Sequence, residues 1–300
     1  MNQQDISWLA TGIGCLLMLI PILIFRFYKT GLVRATLIAT ARMILQLFLV
    51  GLYLEVIFEF DSPAVNLLWV IIMIVAAGFT IISRSELSKK RMFLPILIAI
   101  ITNVLINGII YAVFIIGSEA MFSARYLIPI MGMVIGNTVN STIIALRNFF
   151  LSLKENEESY FYLLLCGASK DQAVFSFIRD ALKEAFNPVI ASTATIGLIW
   201  LPGMMTGQIL GGSDPTTAIK YQIMIVISIF AGGVITVFTA LMASKKFAFT
   251  QRDTINKKIL KTHGKSLLLS FTTSRRRKII ISFSALPLAP DGLLSRGPIY

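Results

Sequence analysis

The residues of this sequence that could do chemistry are amides, hydroxyls and thioethers within strongly apolar segments. In the segment 126–146, Met133, Asn137, Asn140 and Ser141 fall on one stripe, since successive residues of a helix are about 100° apart. Polar side chains are costly in hydrocarbon and therefore face a bundle interior or a water-filled pathway. The stripe either lines such a pathway or holds helices together through hydrogen bonds between them.

Similar residues occur in three other apolar segments, and we predict that they share in the same pathway. These residues are Arg42, Gln46, Asn103, Asn107, Met204, Met205 and Gln208. Arg42 lies near one end of its segment and has a second interpretation, because a long side chain can reach the membrane interface. Methionine sulfurs suit a soft metal in transit, although methionine more often fills a core.

No catalytic constellation emerges from the sequence. A single histidine, His263, leaves neither a histidine-based metal site nor a Ser–His triad within one chain. Gly264-Lys265-Ser266 resembles the end of a phosphate-binding loop, but Ile259 stands where that motif requires glycine. We therefore predict no catalytic residues, no metal site, no cofactor bound by this chain and no ATPase of its own.

Glycines four residues apart predict places where helices approach closely, since a missing side chain lets two backbones touch. Two such groups occur, and together they comprise Gly132, Gly136, Gly203, Gly207 and Gly211. Pro202 stands beside the second group and should bend its helix, because proline removes one backbone hydrogen bond.

The elements that must position these residues are membrane-spanning helices. The 300-residue chain is 56% hydrophobic and only 14% charged, with a mean hydropathy of +0.80. A soluble domain carries about a quarter charged residues, and an apolar run of about 20 residues is long enough to cross a bilayer. We predict an all-α polytopic membrane protein with seven spans, near 7–25, 35–57, 65–82, 93–116, 126–146, 188–212 and 218–242.

The net charge of +12 reflects the two sides of a membrane and not a nucleic-acid partner. Seventeen lysines and arginines lie in four alternate connections, and the connections on the other side hold only two. The basic connections are 26–34, 83–92, 147–187 and 243–260. Because cytoplasmic connections are enriched in basic residues, the N-terminus is predicted outside and the C-terminus in the cytoplasm. The protein is then a multi-pass protein of the cell membrane.

The largest cytoplasmic connection contains an amphipathic element. Gly167 interrupts the chain, and Ser169 with Gln172 forms a capping box that predicts a new helix over about 170–186. Its apolar residues fall mostly on one side: Val174, Phe175, Ile178, Leu182 and Phe186. This side should lie either in a groove of another subunit or on the lipid surface. Asn187-Pro188 should then end the helix and begin the sixth span.

The chain therefore divides into two unequal parts. Residues 1–258 are predicted to form one membrane domain that includes the cytoplasmic connection 147–187. Residues 259–300 form a basic extension that is predicted to be disordered, because its apolar run is short and interrupted by proline. A basic segment held near anionic lipid is the alternative for this extension.

Two long motifs make the sequence similar to a known family. They are IPIMGMVIGNTVNSTIIAL at 128–146 and LPGMMTGQILGGSDPTTAIKYQI at 201–223, with support from ARMILQL at 41–47 and GASKDQA at 167–173. These motifs resemble the seven-span permeases that include the bacterial Fet-type iron-efflux permease and the plant aluminium-sensitive membrane proteins. The similarity extends over about residues 5–258.

The resemblance implies the membrane subunit of an ABC transporter. Two copies would pair in the lipid bilayer and bind two separate cytoplasmic ATPase subunits, which hydrolyse the ATP. The family is linked to export of metal ions, with iron the expectation for a bacterial member. The alternative is a stand-alone secondary transporter, and an intramembrane enzyme is disfavoured because no nucleophile–base or carboxylate pair stands out.

The GASKDQA segment also resembles the coupling loop of importer permeases, which docks in a groove of the ATPase. The Glu-Ala-Ala that precedes the glycine of that loop is absent here, where positions 161–163 are Phe-Tyr-Leu. The residues predicted to couple to an ATPase are Gly167, Ser169, Gln172, Phe175, Ile178 and Leu182.

Overall fold

The computed structural model of this protein describes residues 7–249. Within that range the regular structure is helical, and no β-strand is formed. The basic extension predicted at 259–300 lies outside the described residues. The all-α fold that the apolar segments predict is confirmed for the part of the chain that the structure describes.

The α-helices of residues 7–249 follow one another through short connections. Their bounds are α1 Trp8–Cys15, α2 Leu19–Phe27, α3 Val33–Phe60, α4 Pro63–Arg84, α5 Lys89–Ile110, α6 Ser118–Met121, α7 Ala124–Glu155, α8 Glu157–Leu165, α9 Lys170–Thr195, α10 Gly203–Leu210 and α11 Pro215–Ala248. A 3₁₀ turn, Leu16–Met18, joins α1 to α2, and a π-helical turn, Tyr111–Ile115, extends α5.

Six helical segments in the described range are long and apolar enough to cross a membrane. They are Leu9–Phe27, Val33–Phe60, Pro63–Arg84, Arg91–Ile115, Ala124–Glu155 and Pro215–Phe247. Each coincides with one of the predicted spans, so the first five and the last are found where the sequence places them.

The region of the sixth predicted span, 188–212, is not one continuous helix. Helix α9 runs from Lys170 through Pro188 to Thr195, so the prediction that Asn187-Pro188 ends a helix was wrong. Proline removes one hydrogen bond to the preceding turn, but α9 is held by packing against α7 and α11, and a membrane helix can tolerate the loss. The chain leaves the helix after Thr195 and re-enters one at Gly203, with Pro202 as the N-cap residue of α10.

The buried core lies among α4, α5, α7, α9 and α11. Helix α11 makes its closest approaches at two adjacent glycines that the sequence analysis did not single out. A side chain at Gly232 would collide with Asn103 Oδ1 of α5, and one at Gly233 would touch Phe186 of α9 and Thr138 of α7. These glycines therefore set the spacing between α11 and three neighbouring helices.

Helices α1, α2 and α3 pack much less than the rest. Their described side chains are exposed or half-buried, and most of the exposed ones are large and apolar. The ring of Tyr53 on α3 lies 4.2 Å from that of Trp69 on α4 and is one contact between this part and the core. Apolar side chains that are exposed along a membrane-spanning helix can contact lipid or another helix.

One end of the bundle is tied together by a capping carboxylate. Asp61, between α3 and α4, accepts hydrogen bonds from the Ala124 backbone N–H at 2.6 Å and the Ser123 hydroxyl at 2.9 Å, at the start of α7. Buried Asn66 donates Nδ2 to the Phe122 carbonyl at 2.9 Å. Hydrogen bonds, the backbone N–H of Ala124 first, lower the pKa of Asp61. The cap therefore contributes stability above the ordinary carboxyl pKa and loses it as the pH falls through the lowered value.

Contacts at the opposite end join the segments that are rich in basic residues. Arg147 on α7 lies with its guanidinium 3.9 Å from the carboxylate of Glu86, in the turn between α4 and α5. Lys245 near the end of α11 pairs with Asp171 in the first turn of α9. Three of the four basic connections thus meet at one end of the bundle.

Candidate functional site

A cavity of about 430 Å³ lies between α7, α9, α10 and α11. Its polar lining consists of Asn137, Asn140 and Ser141 of α7, Ser192 and Thr193 of α9, and Gln222 of α11. Rings of Phe186, Trp200 and Phe230 also line it, so apolar surface predominates. Cavities of this size and mixture are typical sites for small molecules.

The break between α9 and α10 forms part of the cavity wall. Gly197 has a φ of +83°, a conformation that glycine adopts readily, and its N–H donates to the Trp200 carbonyl at 3.0 Å. The indole N–H of Trp200 donates to the Thr195 hydroxyl at 3.3 Å. Non-helical backbone at membrane depth occurs where it is buried in protein or lines a cavity, and broken helices form the binding sites of many transporters.

Some of the hydrogen-bond donors that line the cavity already have partners within their own helices. Asn137 donates Nδ2 to the Met133 carbonyl at 2.8 Å, and the hydroxyls of Ser192 and Thr193 donate to the Val189 carbonyl at 2.9 and 2.8 Å. One N–H of Asn137 and the hydroxyls of Ser192 and Thr193 are therefore used within their own helices, and their oxygens keep lone pairs for a ligand. The amides of Asn140 and Gln222 can donate as well as accept.

Gln222 is the most buried amide of the cavity lining. Its side chain lies among the buried residues, at 7% exposure, and its carbonyl oxygen has no hydrogen-bond partner within the described residues. A buried polar atom without a partner is uncommon and requires an explanation. The terminal torsion of a glutamine is broad, so rotation about it can turn the amide toward the cavity.

The cavity brings together five of the residues that the sequence assigned to a pathway. Met133, Asn137, Asn140 and Ser141 line it from α7, and Met204 lines it from the start of α10. The polar stripe of α7 thus meets the methionine-containing segment across the break.

The other predicted pathway residues do not line the cavity. Met205 and Gln208 are half-buried on α10. Arg42 and Gln46 are exposed on α3. Asn103 and Asn107 are buried on α5, where Asn107 Nδ2 donates to Asn103 Oδ1 at 2.7 Å. This hydrogen bond lies within α5, close to Gly232 of α11, and does not itself join two helices.

The predicted packing glycines have varied surroundings. A side chain at Gly132 would meet Met73 of α4 at 2.9 Å, which is a close helix contact. Added side chains at Gly136, Gly203 and Gly207 would meet nothing within 4 Å in the described chain, and Gly211 is exposed after α10. Gly203 lines the cavity.

The capping box predicted at the start of α9 is present. Gln172 N–H donates to Ser169 Oγ at 3.3 Å, and Ser169 N–H donates to Gln172 Oε1 at 2.8 Å. Gly167 precedes it with a φ of +87°, which allows the turn from α8 into α9.

The apolar side of α9 differs from the predicted one. The buried stripe is Ala173, Phe177, Ala181 and Ala185, together with Val174 and Phe186, and α9 packs against α7. Phe175 is 66% exposed, and Ile178 and Leu182 are half-buried. Val174 and Phe186 were predicted on the same docking side as Phe175, and this was wrong because both are buried within the bundle. The small alanines of the buried stripe let this part of α9 approach α7 closely. Phe175, Ile178 and Leu182 remain as a partly exposed apolar strip.

This strip belongs to a segment that is fixed to the end of α11. The ring of Phe249 stacks on that of Tyr160, which is buried on α8, with centroids 5.2 Å apart. Lys170 Nζ lies 4.6 Å from the Phe249 ring centroid. With the Lys245–Asp171 ion pair, these contacts hold the α8–α9 turn against the last turns of α11.

Sequence reasoning missed Ser192, Thr193, Trp200 and Gln222 among the cavity residues. Gln222 is an amide within an apolar span, as Asn137 is. It was not predicted because it lies near the start of its predicted span, 218–242, where a side chain can reach water at the membrane surface. Ser192 and Thr193 are ordinary residues of membrane helices. Ser192 and Thr193 line the cavity beside the break that follows Thr195, and the sequence did not predict this break.

Fold and cavity together define a multi-pass helical membrane protein with a largely apolar cavity at a broken helix, which contains a few amides and hydroxyls. Residues 8–249 match the model of the Uncharacterised protein family (UPF0014), and the chain belongs to this family.

Named relatives come from bacteria and plants. The chain is similar to the Probable iron export permease protein FetB of Escherichia coli, with 32% identity over 82% of this chain and 94% of the relative. It is 31% identical to the UPF0014 membrane protein YjkA of Bacillus subtilis, over 77% of this chain and 90% of that protein. It is 30% identical to the Protein ALUMINUM SENSITIVE 3 of Arabidopsis thaliana, over 62% and 67% respectively. No solved structure shows significant similarity to the chain.

Proposed function

We propose that this protein is the membrane subunit of an ABC transporter that exports metal ions, iron first among them. ATP would be hydrolysed by a separate cytoplasmic subunit. The relative FetB is named a probable iron export permease, and the cavity between α7, α9, α10 and α11 gives such a permease a place to hold its cargo. The proposal extends that relative's printed function to this chain.

The observation that carries the proposal is the continuity of α9. Its first half presents the partly exposed strip of Phe175, Ile178 and Leu182, and its last turn lines the cavity with Ser192 and Thr193. Phe175 and Thr193 are 18 positions apart, which corresponds to about 27 Å of unbroken helix. Because a packed helix moves as a rigid piece, a displacement at the strip reaches the cavity directly.

The ion pair and the ring contacts at the start of α9 connect the same segment to the cavity by a second route, through α11. Lys245 and Phe249 connect the α8–α9 turn to α11, which lines the opposite wall of the cavity with Gln222. A partner that pulls the turn would therefore act on two walls of the cavity together. This is the role that we propose for the segment 167–186.

We further propose that the N-terminus is outside and that α9 and α10 together complete a seventh crossing. The meeting of basic connections at one end supports a cytoplasmic assignment for that end. A reporter that is active only in the cytoplasm should be active when it is fused after Lys258. Activity there of a reporter that works only outside the membrane would refute this topology.

The experiment that tests the proposed function is reconstitution of the permease with its ATPase in proteoliposomes. We expect iron transport that requires both the ATPase and ATP, by a complex whose mass corresponds to two copies of each subunit. Transport by the permease alone would make it a secondary transporter, and a complex with one permease copy would refute the dimer.

A further inference from the structure

The volume of the cavity exceeds what a bare metal ion requires. A water molecule takes about 30 Å³ of liquid, and a metal ion without its water is smaller still. At about 430 Å³, the cavity instead falls in the range of pockets that hold small organic ligands.

The lining of the cavity also lacks the ligands that a bare cation prefers. The residues that line it in the described chain include no Asp, Glu, His, Cys, Lys or Arg. Its donor atoms are amide and hydroxyl oxygens, with the thioethers of Met133 and Met204. A divalent cation that loses its water needs several oxygen ligands, carboxylates among them, to offset the loss.

The two ends of helix at the break do not supply a net charge either. The C-terminal end of α9 at Thr195 carries a partial negative charge, and the N-terminal end of α10 at Gly203 carries a partial positive one. Ile196, which follows α9, and Gly203 line the cavity, so the two helix ends contribute electrostatic potentials of opposite sign there. The site is therefore close to neutral and favours a cargo that is neutral on its outside.

The remaining chemistry describes that cargo. Rings of Phe186, Trp200 and Phe230 suit an apolar body, whereas Asn137, Asn140 and Gln222 offer acceptors for N–H or O–H donors. The carbonyl oxygen of Gln222, buried without a partner, is the acceptor with most to gain from a ligand donor.

We propose that the cavity binds a small uncharged organic ligand with N–H or O–H donors, either free or wrapped around a metal ion, and not a bare metal cation. The metal-wrapped form rests on the proposed function, because metal export would then carry the ion as a complex. Gln222 and Asn140 accept hydrogen bonds from this ligand.

The test measures binding to the purified permease without any ATPase, so it does not depend on ATP coupling. The probes are iron(III) tris(acetohydroxamate), which is neutral and carries N–H donors, acetohydroxamic acid alone, and ferrous chloride. Quenching of tryptophan fluorescence reports binding, because Trp200 lines the cavity. The variant Trp200→Phe serves as the matched control for quenching outside the cavity.

We expect saturable quenching by the iron complex that disappears in Trp200→Phe and a dissociation constant at least tenfold weaker in Gln222→Leu. Asn140→Leu provides a second variant, at an exposed position, if Gln222→Leu does not fold. Equal binding of free acetohydroxamic acid would identify the organic ligand itself as the cargo, and binding of the complex alone would identify the metal complex. Tighter Trp200-dependent binding of ferrous ion, or no binding of either organic probe, would overturn the proposal.

Discussion

Replacing Phe175 and Ile178 by aspartate is expected to abolish co-purification of the ATPase while the permease stays in the membrane. Phe175 is 66% exposed and Ile178 is half-buried, so both lie outside the buried stripe of α9. In a groove of the partner, each apolar side chain would contribute about 1.5–3 kcal/mol by transfer estimates. Their loss should weaken binding by at least about 100-fold. Pull-down of the ATPase from solubilised membranes measures the effect.

A matched control separates burial of apolar groups from a simple change of charge. Lys183→Asp changes the charge by the same two units on an exposed position of the same helix and leaves the strip intact. We expect this control to keep most of the ATPase binding. Equal loss in both variants would mean that charge governs docking, and unchanged binding in the double variant would place the strip against lipid instead.

The second large effect is expected at the polar stripe of α7. Asn137→Leu combined with Asn140→Leu should reduce transport at least about tenfold, because two acceptors of the cavity become apolar and each hydrogen bond to a ligand contributes about 1 kcal/mol. Both side chains are exposed to the cavity, so the folded bundle should tolerate leucine. Initial rates of transport in proteoliposomes measure this loss.

Gln46→Leu is the matched control for the stripe. It makes the same kind of change at an exposed position on α3 that does not line the cavity. Transport should be close to normal in this variant. Normal transport by the double variant of α7, or an equal loss in Gln46→Leu, would show that the cavity is not the pathway.

Much of this architecture follows from local rules that a sequence displays. Hydrocarbon penalises polar groups, so apolar segments identify six of the helices and the few polar residues within them identify the stripe of Asn137, Asn140 and Ser141. The capping box at Ser169 and Gln172 is equally local, and it too is found.

The continuity of α9 depends instead on tertiary contacts. Pro188 ends a helix by local rules, but Ala181 and Ala185 let α9 pack closely on α7 and carry the helix past it. The break falls instead at Gly197, between apolar residues that look like an ordinary span. The pattern of apolar residues in 188–212 does not indicate that the helix continues through Pro188 and ends before Gly197.

Which polar residues share a site also depends on three-dimensional packing. Asn103 and Asn107 show the same four-residue spacing as the residues of a polar stripe, yet they lie against Gly232. Gln222 lies on the neighbouring α11 and lines the cavity. The spacing of residues along one helix predicts which residues share a face of that helix. It does not predict which other helix packs against that face.

The proposal that this protein exports its cargo with energy from ATP is tested by transport in vesicles that contain the permease and its ATPase, with the ATPase facing outward. Iron would be supplied outside, once as ferrous chloride and once as the neutral acetohydroxamate complex. We expect iron from the neutral complex, and not from ferrous chloride, to accumulate inside the vesicles on addition of ATP, with no accumulation in the presence of a non-hydrolysable analogue or without the ATPase. Accumulation that is independent of ATP and follows an imposed ion gradient would contradict the proposal.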